Sequence, residues 1–368
     1  MVKVKRQSGI ELLRIIAMLQ IIFLHVSQYG KLFDTANSAG DLDGLLVTFM
    51  WSLCRAPVDV FVMISGYFMI TSQFDIKRTI KRASNVYGAM FFYSVAISVI
   101  FFIINPVNIT VANCFIAVMP FFSKTWYFLS NYLIVLLLSP FLNKMLTSLT
   151  KKQYLYFMGI VFVVMSLWST LAKVDGLDEV FKIDKIVDPY YGKSLGGFLL
   201  MYIIGGYLRL FVKQKPVSDG AKTGVKYIYL LAFFALCVAD MGLYYLFPQY
   251  NHVFGMFNNP IVLAEGALLI LFFRDFKFSS KLVNTIAGTT LGIYAIHENP
   301  YIREWLWDIV NFSDKALYDT LIYVPLAILA CISIFACGCV IELVRLKIFG
   351  FFSNVFSPKE NEKVKNNK

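Results

Sequence analysis

Long apolar stretches recur along the whole chain and limit what it can fold into. Each is about 20 residues long, the length that an α-helix needs to cross a hydrocarbon core of about 30 Å. They lie near residues 9–29, 46–71, 86–104, 125–143, 154–173, 194–212, 227–247, 258–274, 284–302 and 321–349. Because backbone polar groups in lipid must be satisfied within each segment, we predict an all-α integral membrane bundle of about ten transmembrane helices.

Composition supports a membrane protein and argues against a nucleic-acid-binding one. Hydrophobic residues make up 58% of the chain and charged residues 15%, well outside the range of soluble domains. The formal charge of +11 arises from Lys and Arg between apolar stretches rather than on one soluble face. The six cysteines show no CxxC spacing, which indicates small core hydrophobes. The predicted partner is therefore the lipid bilayer, with no nucleic acid.

The distribution of Lys and Arg predicts the orientation. If the N-terminus is inside, the inner segments carry about three times as many Lys and Arg as the outer ones. Both termini are then cytoplasmic, in a multi-pass protein of the plasma membrane. The first stretch lacks a cleavage site and is interpreted as a retained helix. We expect one transmembrane domain over residues 8–350, with cytoplasmic tails at 1–7 and 351–368 and no soluble second domain.

The first helix carries two ionisable residues at unusual depth. Ser8 and Glu11 have the spacing of a capping box, which predicts a helix start just before the apolar stretch. Arg14 and His25 are eleven residues apart, so they share one helix face about 16 Å apart along the axis. Such groups usually face a polar cavity, which favours a functional site. The alternative is an interfacial Arg with its charge at the headgroups and a His bonded to a neighbouring helix.

Other polar residues within the apolar stretches need partners. Arg55 and Asp59 are four residues apart, and we predict that they pair on one helix face. Ser65, before a glycine in the same stretch, permits close helix approach. Asp240 and Glu265 each require a partner that the sequence does not identify.

Two further features leave alternatives open. The basic cluster Lys77–Arg82 precedes the third apolar stretch and either contacts lipid headgroups or binds a phosphorylated cytosolic donor. His297 is either a second site histidine or an interfacial one, whereas His252 is predicted to lie at the surface. With three histidines, no clustered carboxylates and no Walker A, HExxH or GxSxG motif, the sequence predicts no metal site.

Five segments, in order, resemble motifs of the acyltransferase-3 family of membrane-bound O-acyltransferases. They cover essentially the whole predicted bundle: Glu11 to Arg14 with His25, Phe61 to Tyr67, Arg78 with Arg82, Trp126 to Leu129 with Pro140, and Leu291 to His297. Lys124 and Thr125 stand where family members often carry a histidine, so the resemblance assigns no role there. The chain resembles the stand-alone type, without an appended SGNH hydrolase-like domain.

The resemblance implies transfer of an acyl group, most often acetyl, from cytoplasmic acyl-CoA to a hydroxyl of an extracytoplasmic or lipid-linked glycan. Acetyl-CoA would be a substrate, and no cofactor would be bound permanently. The implied catalytic residues are His25, as base or acyl carrier, and Arg14, which would also contact coenzyme A phosphates. The implied donor-binding residues are Arg78, Arg82 and Ser65. Further candidates are Glu11, Trp126, Tyr127 and His297.

A transporter or flippase of a lipid-linked sugar is the alternative, because it would also use buried charges. Transporters more often show paired, interrupted helices in two related halves, which are not evident in this sequence. Acetyl-CoA consumption by the purified protein would distinguish the two functions.

Overall fold

The computed structural model describes residues 8–37, 42–123, 126–177, 180–181, 191–212, 219–314 and 322–356, and all regular elements in these ranges are helical. In chain order the α-helices are α1 (Ser8–Gln28), α2 (Leu32–Asn37), α3 (Leu42–Leu53), α4 (Pro57–Met69), α5 (Ile76–Ile104), α6 (Val111–Val118), α7 (Tyr127–Thr147), α8 (Lys151–Phe162), α9 (Ser169–Leu171), α10 (Leu195–Phe211), α11 (Asp219–Leu246), α12 (Asn251–Phe254), α13 (Pro260–Phe273), α14 (Lys281–Ala287), α15 (Thr290–His297), α16 (Pro300–Ile309) and α17 (Tyr323–Phe356). Two 3₁₀ turns, Pro106–Asn108 and Pro248–Tyr250, and a π-helical segment, Val163–Trp168, connect some of them.

Seven helical segments of the described chain are long and apolar enough to cross a membrane. They are Ser8–Gln28, Leu42–Met69, Ile76–Ile104, Tyr127–Thr147, Lys151–Leu171, Gly224–Leu246 and Tyr323–Gly350. Helices α10 and α13 are apolar but shorter, with 17 and 14 residues. The prediction of an all-α, multi-pass membrane protein is therefore confirmed, whereas ten crossings are not shown.

Two predicted continuous helices are interrupted. The segment predicted at 46–71 is split between α3 and α4, and Pro57 at the start of α4 has no N–H to continue the helical hydrogen bonds. The segment predicted at 284–302 is divided into α14, α15 and α16. Gly288 ends α14, and the Asn299 side chain caps α16 by accepting from the Tyr301 N–H, next to Pro300. Both interruptions lie beside polar side chains described below.

The basic cluster Lys77–Arg82 lies in the first turns of α5 rather than before the helix. The helix begins at Ile76, because the Asp75 side chain accepts a hydrogen bond from the Arg78 N–H and caps it. The predicted start of this helix at residue 86 was therefore wrong, because the helix begins at Ile76. Helix α6 has eight residues, too few to span a membrane.

Close backbone contact fixes α4 against α10. A Cβ atom at Gly66 would overlap the backbone oxygen of Tyr202, and one at Gly205 would overlap that of Met63. Small residues that let helix backbones approach in this way are typical of membrane bundles. The contact holds the neighbouring Ser65 in a defined position.

Helix α1 lies inside the bundle, in contact with α4, α13, α14 and α17. Within the described residues it runs from Ser8 to Gln28. The Ser8 hydroxyl donates to Asn284 Oδ1 at 2.9 Å and accepts from the Ser280 N–H at 2.8 Å, which ties the helix start to α14. The central helix is thus the one that carries Arg14 and His25.

Candidate active site

A cavity of about 180 Å³ runs along one face of α1. Arg14, Met18 and Ile21 line it, at the spacing of successive turns of that face. Its remaining walls come from α4, α7 and the junction of α14 with α15. Ser65 Oγ lies 3.2 Å from the hydroxyl oxygen of Tyr132 within this lining. The cavity therefore combines an apolar wall with a few convergent polar groups, as small-molecule sites usually do.

Arg14 is positioned by the residue one turn before it. Its Nη1 lies 3.2 Å from Glu11 Oε2, and its side chain is 29% exposed whereas that of Glu11 is 8% exposed. The carboxylate holds the guanidinium while leaving part of it accessible from the cavity. Arg14 and Ser65, both candidates from the sequence, thus line one cavity, and Glu11, a third candidate, contacts Arg14.

His25 continues the same face of α1 one turn beyond Ile21 and meets α15. Its Nδ1 atom lies 3.1 Å from Nε2 of His297 and 3.3 Å from Oε1 of Glu298. Nδ1 of His297 lies 2.7 Å from the carbonyl oxygen of Ile293. The two histidines named from the sequence are in direct contact, together with Glu298, which sequence reasoning did not place in the site.

Hydrogen-bond chemistry determines the tautomers. The Ile293 carbonyl only accepts, so Nδ1 of His297 donates to it and Nε2 keeps a lone pair. That lone pair accepts from Nδ1–H of His25, so a neutral His25 carries its free lone pair on Nε2. The arrangement orients one imidazole and leaves it one basic nitrogen.

Aromatic rings and a cation lie next to His25 at the C-terminal end of α1. Its ring centroid lies 5.5 Å from that of Tyr29 and 6.5 Å from that of Trp307. Arg303 lies 5.2 Å from the Tyr29 ring centroid, and its Nη1 is 3.8 Å from Glu298 Oε2. These polar and aromatic side chains form a wall beside His25, and no single sequence motif indicated it.

Lys193 and Tyr127 lie beside this wall of polar and aromatic side chains. Lys193 Nζ is 5.3 Å from the ring centroid of Tyr127. Burial lowers the pKa of Lys193, and the carboxylate of Glu298 opposes that shift. Trp126 is fully buried, and its Nε1 has no hydrogen-bond partner among the described residues. Tyr127 is thus near the site, whereas Trp126 is a core residue.

Arg78 and Arg82 do not line the cavity that contains Arg14. They line a separate cleft of about 10 Å³, together with Asp75 and Asn143. The structure therefore divides the predicted donor-binding residues between two places, Arg14 and Ser65 in the cavity and the α5 arginines in this cleft. Lys124 and Thr125, which precede Trp126, lie outside the described residues.

The predicted pair of Arg55 and Asp59 is wrong. Arg55 lies between α3 and α4, where its Nε is 2.9 Å from Asp240 Oδ2 and its guanidinium carbon is 3.8 Å from the Trp51 ring centroid. Neither carboxylate oxygen of Asp59 has a hydrogen-bond partner among the described residues. Glu265, whose partner the sequence did not identify, accepts a weak hydrogen bond from Cys237 Sγ at 3.7 Å.

Comparison with known proteins assigns the family. A family model described as an acyltransferase domain matches residues 7–343, nearly the whole chain. No curated protein and no solved structure matches the chain. The family match agrees with the apolar helices, which make the protein a multi-pass membrane protein. The chain therefore belongs to the acyltransferase-3 family of membrane acyltransferases.

Proposed function

We propose that the protein is an O-acetyltransferase of the plasma membrane. It would transfer an acetyl group from cytoplasmic acetyl-CoA to a hydroxyl of an extracytoplasmic or lipid-linked glycan. The observation that carries this proposal is the contact of His25 with His297 and Glu298 at the end of the α1 face that begins at Arg14. Family membership supports acyl transfer in general, and this geometry supplies an oriented base beside a cavity.

In this proposal His25 acts as a general base. Nε2 takes the proton of the acceptor hydroxyl as its oxygen bonds to the thioester carbonyl carbon. The carbon–sulfur bond then breaks, and the same proton passes from His25 to the departing thiolate, which gives the ester and coenzyme A. Glu298, 3.3 Å from Nδ1, stabilises the imidazolium that exists between these steps.

The donor would enter from the side of Arg14. The thioester arm would occupy the cavity that Arg14, Ser65 and Tyr132 line, with its reactive end toward His25. Arg14, Arg78 and Arg82 would bind the phosphates of coenzyme A, because guanidinium groups form bidentate contacts with phosphate oxygens. A polyanionic donor requires several cations. Because coenzyme A is long, it would contact the arginine in the cavity and those in the neighbouring cleft at the same time.

The glycan acceptor would approach His25 from the end of α1 that lies away from Arg14. Tyr29 lies against His25, is 40% exposed and offers aromatic surface to a sugar ring, while Arg303 and Lys193 offer hydrogen-bond donors. An acceptor hydroxyl held there would be within reach of Nε2 of His25. Proximity of this kind converts a bimolecular reaction into an effectively unimolecular one.

This function requires the predicted topology, with both termini and the start of α5 in the cytoplasm. The alternating Lys and Arg bias supports ten crossings, with the shorter helix α10 and the interrupted pair α14–α15 among them. A cysteine introduced at Ser218, in a variant lacking the exposed Cys114 and Cys337, should resist a membrane-impermeant maleimide added outside. Labelling from outside would overturn the topology.

The function is tested with inside-out membrane vesicles supplied with acetyl-CoA labelled in its acetyl group. Vesicles containing the protein should accumulate alkali-labile label in glycan and release coenzyme A in equal amount. The His25→Ala variant should do neither, whereas His252→Ala, at an exposed histidine far along the chain, should do both. Glycan export without thioester consumption would favour the flippase and contradict the proposal.

A further inference from the structure

Three electron-pair donors converge at the outer end of α1. The ligand atoms of His25, His297 and Glu298 all lie within 4.8 Å of one another, a grouping of the described residues that can hold a metal ion. With both imidazoles neutral and Glu298 ionised, Nδ1 of His25 carries one hydrogen, which it donates to Nε2 of His297, while Oε1 of Glu298 lies 3.3 Å from the same Nδ1. Glu298 is 6% exposed, and its Oε1 has no hydrogen-bond partner among the described residues. The cluster therefore has more lone pairs than hydrogens.

The spacing of these atoms suits a tetrahedral ion. Ligands at about 2.0–2.1 Å from zinc in tetrahedral geometry are separated from one another by about 3.3 Å. The two distances from Nδ1 of His25 are 3.1 Å to His297 Nε2 and 3.3 Å to Glu298 Oε1. Two of the three ligand-to-ligand distances thus match those around a tetrahedral zinc ion, and the ligand atoms of the third pair lie within 4.8 Å of each other.

Groups behind the ligands hold them as in known metal sites. A metal-bound histidine nearly always donates its other ring N–H to a carbonyl or carboxylate, and His297 donates Nδ1–H to the Ile293 carbonyl at 2.7 Å. The second oxygen of Glu298 lies 3.8 Å from Arg303, which leaves Oε1 for the ion. Two imidazoles and one carboxylate favour zinc over magnesium or calcium, which prefer oxygen ligands alone.

We propose that His25, His297 and Glu298 bind Zn²⁺ and that the bound ion inhibits acyl transfer. The inhibition rests on the proposed role of His25 as base. Zinc would take the lone pair of Nδ1, so a neutral His25 would carry its hydrogen on Nε2 and could no longer accept the proton of the acceptor. Zinc would thus bind Nδ1 of His25 and block the base function of Nε2 in the same ring.

The site would be reversible rather than permanently occupied. It supplies three ligands, and Arg303 and Lys193 place two positive charges near Glu298. Both features weaken the affinity for a divalent cation. We therefore expect micromolar binding that a chelator removes.

Binding is tested directly on the full chain in detergent, with Cys114 and Cys337 replaced by Ser to remove the two exposed thiols. Metal-free protein titrated with ZnCl₂ in a calorimeter should bind one ion. His297→Gln and Glu298→Gln should each weaken that binding by at least about tenfold. His252→Ala, the matched control at an exposed histidine, should bind as the parent does. One site of unchanged affinity in both ligand variants would overturn the proposal.

The second arm measures acetyl-CoA consumption by the same preparation with and without ZnCl₂. Zinc should abolish consumption at the concentration that fills the calorimetric site, and a chelator should restore it. Zinc binding without inhibition would overturn the inhibitory role. A metal-free protein that binds zinc but consumes no acetyl-CoA with any glycan would instead contradict the proposed function and leave the zinc site standing.

Discussion

Two of the groups of buried ionisable residues in the described part of the chain differ in access. The histidine cluster comprises His25, His297 and Glu298, and the arginine cluster comprises Arg55, Asp59, Asp240 and Glu265. The side chain of His25 is 16% exposed, and Arg303 beside Glu298 is 38% exposed. In the arginine cluster Arg55 is 2% exposed and Asp240 1% exposed.

A charge in a membrane helix therefore does not by itself mark a site of chemistry. Arg55 occupies the gap between α3 and α4, where its charge meets Asp240 and its plane stacks on Trp51. That arrangement holds three helices together and is closed on all sides. The histidine cluster instead continues a cavity-lining face and borders partly exposed residues. Access to a ligand, rather than burial of charge, distinguishes the two.

The largest effect is expected from His25→Ala. Loss of a general base costs about 10²–10⁴-fold in rate, so acetyl transfer to glycan in vesicles should fall by that factor while the protein accumulates normally. Transfer above about a tenth of the parental rate would place His25 in the same structural class as the arginine cluster.

The next effect concerns stability. Arg55→Met leaves Asp240 buried without its partner, and breaking a buried pair from one side costs about 3–5 kcal/mol. The variant should unfold at lower temperature in detergent and accumulate poorly. Arg55→Met combined with Asp240→Leu should recover most of that loss, since apolar replacement of a buried ion pair is often neutral. A double variant that is stable yet inactive would instead give this cluster a functional role.

A smaller effect is expected from Arg14→Ala. A hydrogen bond to a charged group contributes about 1.5–3 kcal/mol, so the apparent affinity for acetyl-CoA should fall by about 10- to 100-fold. Folding should be little changed because the side chain is partly exposed. Lys151→Ala, at an exposed cation on α8, is the control. Unchanged use of acetyl-CoA would remove Arg14 from the donor site.

The smallest effect is expected from His297→Gln. The variant loses one neutral hydrogen bond to His25, which contributes about 0.5–1.5 kcal/mol, so transfer should fall by about 2- to 10-fold. Glu298 remains to hold Nδ1 of His25. Steady-state rates with saturating acetyl-CoA check this. A loss as large as that of His25→Ala would show that both histidines take part in the chemistry.

The periodicity of α1 allowed one of the three members of the histidine cluster, His25, to be predicted. Arg14 and His25 share a face in any continuous helix, and α1 is continuous from Ser8 to Gln28. His297 was a candidate from its motif, but 272 residues separate it from His25, and no local pattern reports such a contact. Glu298 follows His297 directly, so its position was visible while its role was not.

The wrong pairing of Arg55 with Asp59 has a simple cause. A spacing of four residues brings side chains together only where the helix is unbroken, and here α3 ends at Leu53 and α4 begins at Pro57. The guanidinium therefore turns to Asp240 on α11. Pro57 indicates the helix break in the sequence, whereas the pairing of Arg55 with Asp240 depends on how the helices pack.

The sequence by itself determined the membrane class, the approximate helices and the candidate face of α1. Hydrophobic length and helical period are local properties, so they can be read without knowledge of neighbours. Only the tertiary structure decided which polar side chains meet: His25 with His297 and Glu298, and Arg55 with Asp240. Those contacts depend on how helices distant in sequence pack, and glycine-mediated contacts such as that of α4 with α10 set the packing.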